Sequence, residues 1–144
     1  MIPKASIYYY FTLLLHLVLF IPLYAQNSTV DSLRQIIDNT SDELTRIENT
    51  NFLALALMEN EPEEALALLQ QIYPTAKALG NPILADISHS LGRIHNANNQ
   101  LDSALVAYER AFTQAQQLNN WSIAVRSLSN QAYVYDQQNQ FDTG

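Results

Sequence analysis

The sequence predicts an all-α protein assembled from repeated helix–turn–helix units. Three observations carry that prediction. Two segments align at an offset of 39: Pro62, Ala65, Leu66, Leu69, Ile72, Tyr73, Ala76 and Leu79 match Leu101, Ala104, Leu105, Tyr108, Ala111, Phe112, Ala115 and Leu118. All eight pairs are apolar, and their spacing of 3, 1, 3, 3, 1, 3, 3 is that of one helical face. The segments between them repeat as well. Ser88, Leu91, Gly92, Ile94, His95, Gln100, Leu101 and Asp102 align at an offset of 40 with Leu128, Gln131, Ala132, Val134, Tyr135, Gln140, Phe141 and Asp142. Finally, no stretch alternates apolar and polar residues as a half-buried strand would.

The first 25 residues stand apart. Nineteen of them are apolar and Lys4 is their only charge. A basic tip, an apolar stretch running from Ile7 to Leu23 and a small residue before a polar onset predict a Sec-type secretory signal peptide over 1–25, cut after Ala25. The competing expectation is an uncleaved membrane anchor, because 17 residues lie at the short end of a span. Either way the remainder is expected outside the cytoplasm, in a periplasmic or extracytoplasmic compartment of a bacterium. The chain contains no Cys, so no disulfide, thiolate metal site or Cys nucleophile exists, and no lipid-bearing Cys follows the leader.

Next comes 26–41, where Val30, Leu33, Ile36 and Ile37 predict a short amphipathic helix beginning after Ser28 or Thr29 and capping the first repeat. That repeat is expected over 42–80. Its second helix starts at Pro62, whose fixed φ suits a first turn, with Glu63 and Glu64 at the positive end of the helix dipole. Pro74 inside that helix predicts a kink. Gly80-Asn81-Pro82 is a turn. The second repeat spans 82–119, with an Asn-rich turn at Asn96 to Gln100, Asp102 in the first turn of its second helix, and Asn119-Asn120 at its end. The third, 121–144, is expected to end its first helix at a second Asn-rich turn, Gln137 to Gln140. It stops where a second helix belongs, which predicts a fragment of a longer protein.

The pattern resembles the tetratricopeptide repeat, whose signature is W-x2-L-G-x2-Y, then A-x3-F, then a helix end. The nearest copy runs Ser88-x2-Leu91-Gly92-x2-His95, then Ala104-x3-Tyr108-x2-Ala111. The next has Leu128, Ala132 and Tyr135. A weaker, earlier copy has Asn49, Phe52, Leu53 and Ala56, then Ala65, Leu69 and Ile72. The resemblance covers Asp42 to Gly144, with a period longer than the family's usual 34. It implies an α-solenoid in which Leu91, Gly92, His95, Ala104, Tyr108, Ala111, Leu128, Ala132 and Tyr135 pack the repeats together. It also implies a concave groove lined by the first helix of each repeat. On that face lie Asp86, His89, Arg93 and Asn96, followed by Arg126, Ser129, Tyr133 and Asp136.

Charge and inventory argue against chemistry in this chain. Seven basic residues face fourteen acidic ones, the reverse of a nucleic-acid surface. Three glycines leave no Gly-rich phosphate loop. His89 and His95 are six apart and point to different helix faces, unlike an i, i+4 zinc pair. Glu63 and Glu64 are adjacent and diverge. No catalytic residue, cofactor or metal is therefore expected. The function expected is an exported scaffold that binds a protein or peptide partner through the groove, with Arg93 and Arg126 pairing with peptide carboxylates. The alternative is the sensor portion of a larger bacterial signalling protein, a histidine kinase or a DNA-binding regulator, whose effector domain lies beyond Gly144.

Overall fold

A computed structural model describes residues 28–80 and 82–142, with side chains described to Asn139. The predicted leader, Asn81, Thr143 and Gly144 lie outside the described residues. Among the described residues there are six helices and no strand, so the chain is all-α. They are α1 (28–39), α2 (Glu43–Leu57), α3 (Pro62–Ala78), α4 (Ile83–Ala97), α5 (Leu101–Gln117) and α6 (Trp121–Asp142). None is long and apolar enough to cross a membrane. Connections of three or four residues make consecutive helices antiparallel neighbours. Each of α2 to α5 packs on the next, and α4 also touches both α2 and α6.

Helix α1 turns Val30, Leu33 and Ile37 onto the core. Ile36, expected to share that face, is exposed instead, because it lies to the side of the Val30–Leu33–Ile37 line. At the head of α2 the Asp42 carboxylate accepts hydrogen bonds from the Thr45 amide, at 2.8 Å, and the Thr45 hydroxyl, at 2.6 Å. These bonds favour the ionised form and hold the Asp42 carboxyl below its ordinary range. The Asp42→Ala variant is expected to unfold a few degrees earlier in a thermal melt followed by circular dichroism, since a first-turn N–H loses its partner.

Helix α3 starts on Pro62 and runs unbroken through Pro74. Its buried line is Ala65, Leu69, Ile72 and Ala76, matched in α5 by Ala104, Tyr108, Ala111 and Ala115. Leu79 and Leu118, the last members of the aligned set, are exposed. Both follow the final helical turn as C-cap residues, so the helical period no longer aims them inward. Phe52 of α2 is also exposed, while its neighbour Leu53 faces the core.

Helices α4 and α5 end in the same device. Gln100 N–H donates to His95 C=O at 2.8 Å and Asn99 N–H to Asn96 C=O at 3.0 Å. Asn120 N–H donates to Ala115 C=O at 2.8 Å and Asn119 N–H to Gln116 C=O at 3.1 Å. Asn99 (φ 58°) and Asn119 (φ 55°) hold the left-handed conformation that such a Schellman ending requires. Gly80 (φ 60°) fills that position after α3.

The third ending departs from expectation. Residues 137–140 do not form a turn; α6 stays helical to Asp142. Asn99 reverses direction where α5 folds back onto α4. Among the described residues no later helix folds back onto α6, and Gln137, Gln138 and Gln140 are good helix formers. Gln138 is held along the helix by donating to the Asp102 carboxylate at 2.9 Å.

Helix α4 lies at the centre. Ile87 to Gly92 are all buried, together with Ala85 and Ile94. Its contact with α5 is set by Gly92. A Cβ there would sit 2.5 Å from two ring carbons of Tyr108, itself only 2% exposed. The absent side chain leaves room for the Tyr108 ring against α4.

Candidate functional site

The candidate site is the side of the molecule where α4 meets α6. Helical spacing puts Asp86, His89, Arg93 and Asn96 on one stripe of α4. The same spacing, 40 residues on, puts Arg126, Ser129, Tyr133 and Asp136 on one stripe of α6. The two helices touch, and the Arg126 charge reaches both Asp86 and His89 of the α4 stripe. All four α6 residues are exposed, and Asp86, Arg93 and Asn96 are half-buried.

His89 is the exception to the predicted lining. It is 3% exposed and enclosed between α4, α5 and α6, not open to a groove. Its Nδ1 lies 3.0 Å from the Ser127 hydroxyl and its Nε2 lies 3.5 Å from the Asn130 amide. Its ring centroid is 5.4 Å from that of Tyr108. Burial pushes the imidazole down to about 4, and the positive charges of Arg126 and Arg93 push the same way. His89 is therefore neutral at pH 7. Burial likewise raises the Tyr108 hydroxyl to about 12. The periodicity predicts an open lining position for His89; Ser127 of α6 closes it off.

Asp86 is half-buried, and desolvation raises its carboxyl while the Arg126 charge partly offsets this. Arg126 thus acts across the helix boundary on both Asp86 and His89. Near the far end of the stripe the Asn96 Oδ1 is buried with no hydrogen-bond partner. The arrangement offers two guanidinium groups, two carboxylates, a phenol, a carboxamide and the Ser129 hydroxyl. That set recognises extended polar ligands by hydrogen bonding and ion pairing.

The residues assigned to packing fall into three groups. Leu91, Gly92, Ala104, Tyr108 and Ala111 are buried. His95 is half-buried, with Nδ1 2.6 Å from the Gln100 Oε1. Leu128, Ala132 and Tyr135 are exposed, contrary to expectation. Their counterparts Ser88, Gly92 and His95 lie under α5, and among the described residues no helix lies over the equivalent face of α6.

Two features were not foreseen. A polar chain joins three helices: Ser88 donates to the Gln114 Oε1 at 2.7 Å, and the Gln114 amide donates to the Tyr73 hydroxyl at 3.3 Å. The Arg110 guanidinium sits 5.1 Å from the Tyr73 ring centroid, a cation–π distance. A concavity of about 430 Å³ also opens between α1, α2 and α3. Its Arg34 and Arg46 are engaged by Glu64, at 3.0 Å, and Glu43. Tertiary folding brings Arg34 and Glu64 together across 30 residues, so no local pattern announces the pair.

Among the described residues no three His, Asp or Glu side chains cluster as a metal site. No protein-family model, curated protein or solved structure matches the chain.

Proposed function

We propose that this chain is an exported scaffold of the tetratricopeptide type. Its hairpins stack as an α-solenoid, and it binds an extended acidic peptide along the α4–α6 stripe. The observation that carries this reading is the register. The same four-residue polar pattern recurs 40 residues apart on two helices that touch, so seven accessible or half-buried polar side chains share one face. Arg93 and Arg126 supply positive charge there, beside the carboxylates of Asp86 and Asp136, in a chain that is acidic overall. A peptide carboxylate is the complementary group. Tyr133 adds an exposed ring that packs on apolar side chains while its hydroxyl hydrogen-bonds.

The test uses the full chain and an immobilised library of acidic peptides. Wild type is expected to retain a subset that the Arg93→Ala, Arg126→Ala, Tyr133→Ala triple variant binds at least about tenfold more weakly, the loss of one charge-assisted contact or more. Binding should also weaken as salt rises from about 0.05 to about 0.5 M, through screening of exposed charge. Equal retention by the two proteins, or none by either, overturns the reading.

A further inference from the structure

A buried imidazole sits on the boundary where α6 packs on α4 and α5. On the α6 side of that boundary the buried residues are Ile123, Ala124, Ser127, Gln131 and Val134, two of them polar. The Gln131 Nε2 is buried without a hydrogen-bond partner. Facing them from α4 is the His89 ring, and both side chains that its nitrogens meet, Ser127 and Asn130, belong to α6. Helices α4 and α5 are joined differently, by the fit of the Tyr108 ring on Gly92 and by buried Ala104, Ala107 and Ala111.

We infer that this boundary is operated by acid: protonation of His89 releases α6 from α4 and α5, while those two helices stay packed on each other. The charged and titratable groups facing the ring are few. Helix α4 contributes Asp86 and Arg93, one turn to either side; α5 contributes the Tyr108 hydroxyl; α6 contributes Arg126. A new cation therefore meets two like charges, a phenol that stays neutral and one half-buried carboxyl. It also donates from both nitrogens and accepts at neither, and a ring 3% exposed gains little from solvent. Opening toward α6 relieves these costs together. It hydrates the ring and the Gln131 amide and takes Arg126 away. Parting α4 from α5 would instead break the Tyr108–Gly92 fit and leave the ring against Ser127 and Asn130. Sub-global openings of single elements are a general property of folded chains. Any chain that follows α6 moves with it. The polar stripe is divided between α4 and α6, so the same motion parts Arg93 from Arg126.

The released imidazole binds a proton near pH 6.5 and the enclosed one only near 4. Release therefore becomes easier as pH falls through that interval, by about fortyfold at most between about pH 6.5 and about pH 4.5. Asp86, raised while enclosed, favours the closed form in acid and lessens the total.

Hydrogen exchange followed by mass spectrometry on the full chain, with rates corrected for the intrinsic effect of pH, is the test. Peptides from α6 are expected to lose protection by at least about tenfold from about pH 6.5 to about pH 4.5, and at the lower pH to exchange at least about tenfold faster than peptides from α4 and α5. His89→Gln, which hydrogen-bonds but cannot titrate, should lose less than about threefold on α6. Arg126→Gln, at an exposed position, removes one like charge and should lose less than wild type. Wild-type α6 exchanging at one rate with α4 and α5 at about pH 4.5, an α6 rate that ignores pH, or a response undiminished in either variant overturns the inference. None of these readings depends on peptide binding.

Discussion

Gly92→Ala is expected to destabilise the protein by about 1–3 kcal/mol, although alanine is the better helix former. Helix propensity alone would favour the change by about 1 kcal/mol. The added methyl, however, would lie 2.5 Å from Cδ1 and Cε1 of Tyr108 and 2.9 Å from its Cγ. An exposed side chain would swing away. Tyr108 is enclosed among Ala104, Val134 and its His89 neighbour, so α4 and α5 must separate instead. Overpacking of this kind costs about 1–3 kcal/mol and outweighs the propensity gain. Chemical denaturation of the two proteins measures it. Adding Tyr108→Leu to Gly92→Ala should recover part of the loss, because the smaller side chain makes room, and the double-mutant cycle should show coupling between the positions. A Gly92→Ala protein as stable as wild type would mean that the helices do not approach this closely.

Acid should weaken the protein through His89 before most carboxylates titrate. In the unfolded chain the imidazole binds a proton near pH 6.5; in the folded protein it does so only near 4. Between those values the unfolded state takes up a proton that the folded state refuses. Stability is therefore fully present above about pH 6.5 and falls as pH drops toward 4, by about 2–3 kcal/mol in all. The cause is burial against Tyr108, Ser127 and Asn130, with Arg93 and Arg126 opposing a further positive charge and Asp86 the nearest carboxyl on the same stripe. The His89→Gln variant keeps a side chain able to hydrogen-bond Ser127 but cannot titrate. Its stability should be lower than wild type at about pH 7, yet should change less as pH falls from about 6.5 to about 4.5. Carboxylates contribute in both proteins, so the difference between the two curves is the readout. Parallel curves would show that His89 titrates normally in the fold.

Gly92 and His89 illustrate two degrees of legibility. Gly92 stands out in the sequence because it occupies a small-residue position between Leu91 and His95 in a repeated pattern, and Tyr108 belongs to the packing positions of the same pattern. Periodicity suffices there because both partners sit at fixed positions within one hairpin. For His89 the spacing predicts an open groove position, whereas the side chain is enclosed. Its burial depends on Ser127, 38 residues away on α6, and nothing in the local spacing around His89 encodes that distance. The Gln137–Gln140 region shows a third case. Its composition resembles the turn at Asn96 to Gln100, but among the described residues its glutamines, good helix formers, continue α6.

Local sequence settles that the chain is helical, where α3 and α5 begin and which of their faces is buried. Those properties come from the 3.6-residue period, from Pro62 and from the left-handed positions at Gly80, Asn99 and Asn119, all of which act within a few residues. Long-range packing is what encloses α4 on nearly every side and keeps His89 neutral and closed off. An apolar stripe specifies that something must cover it. Which helix does so, or whether a second molecule does, depends on contacts made across tens of residues or between chains.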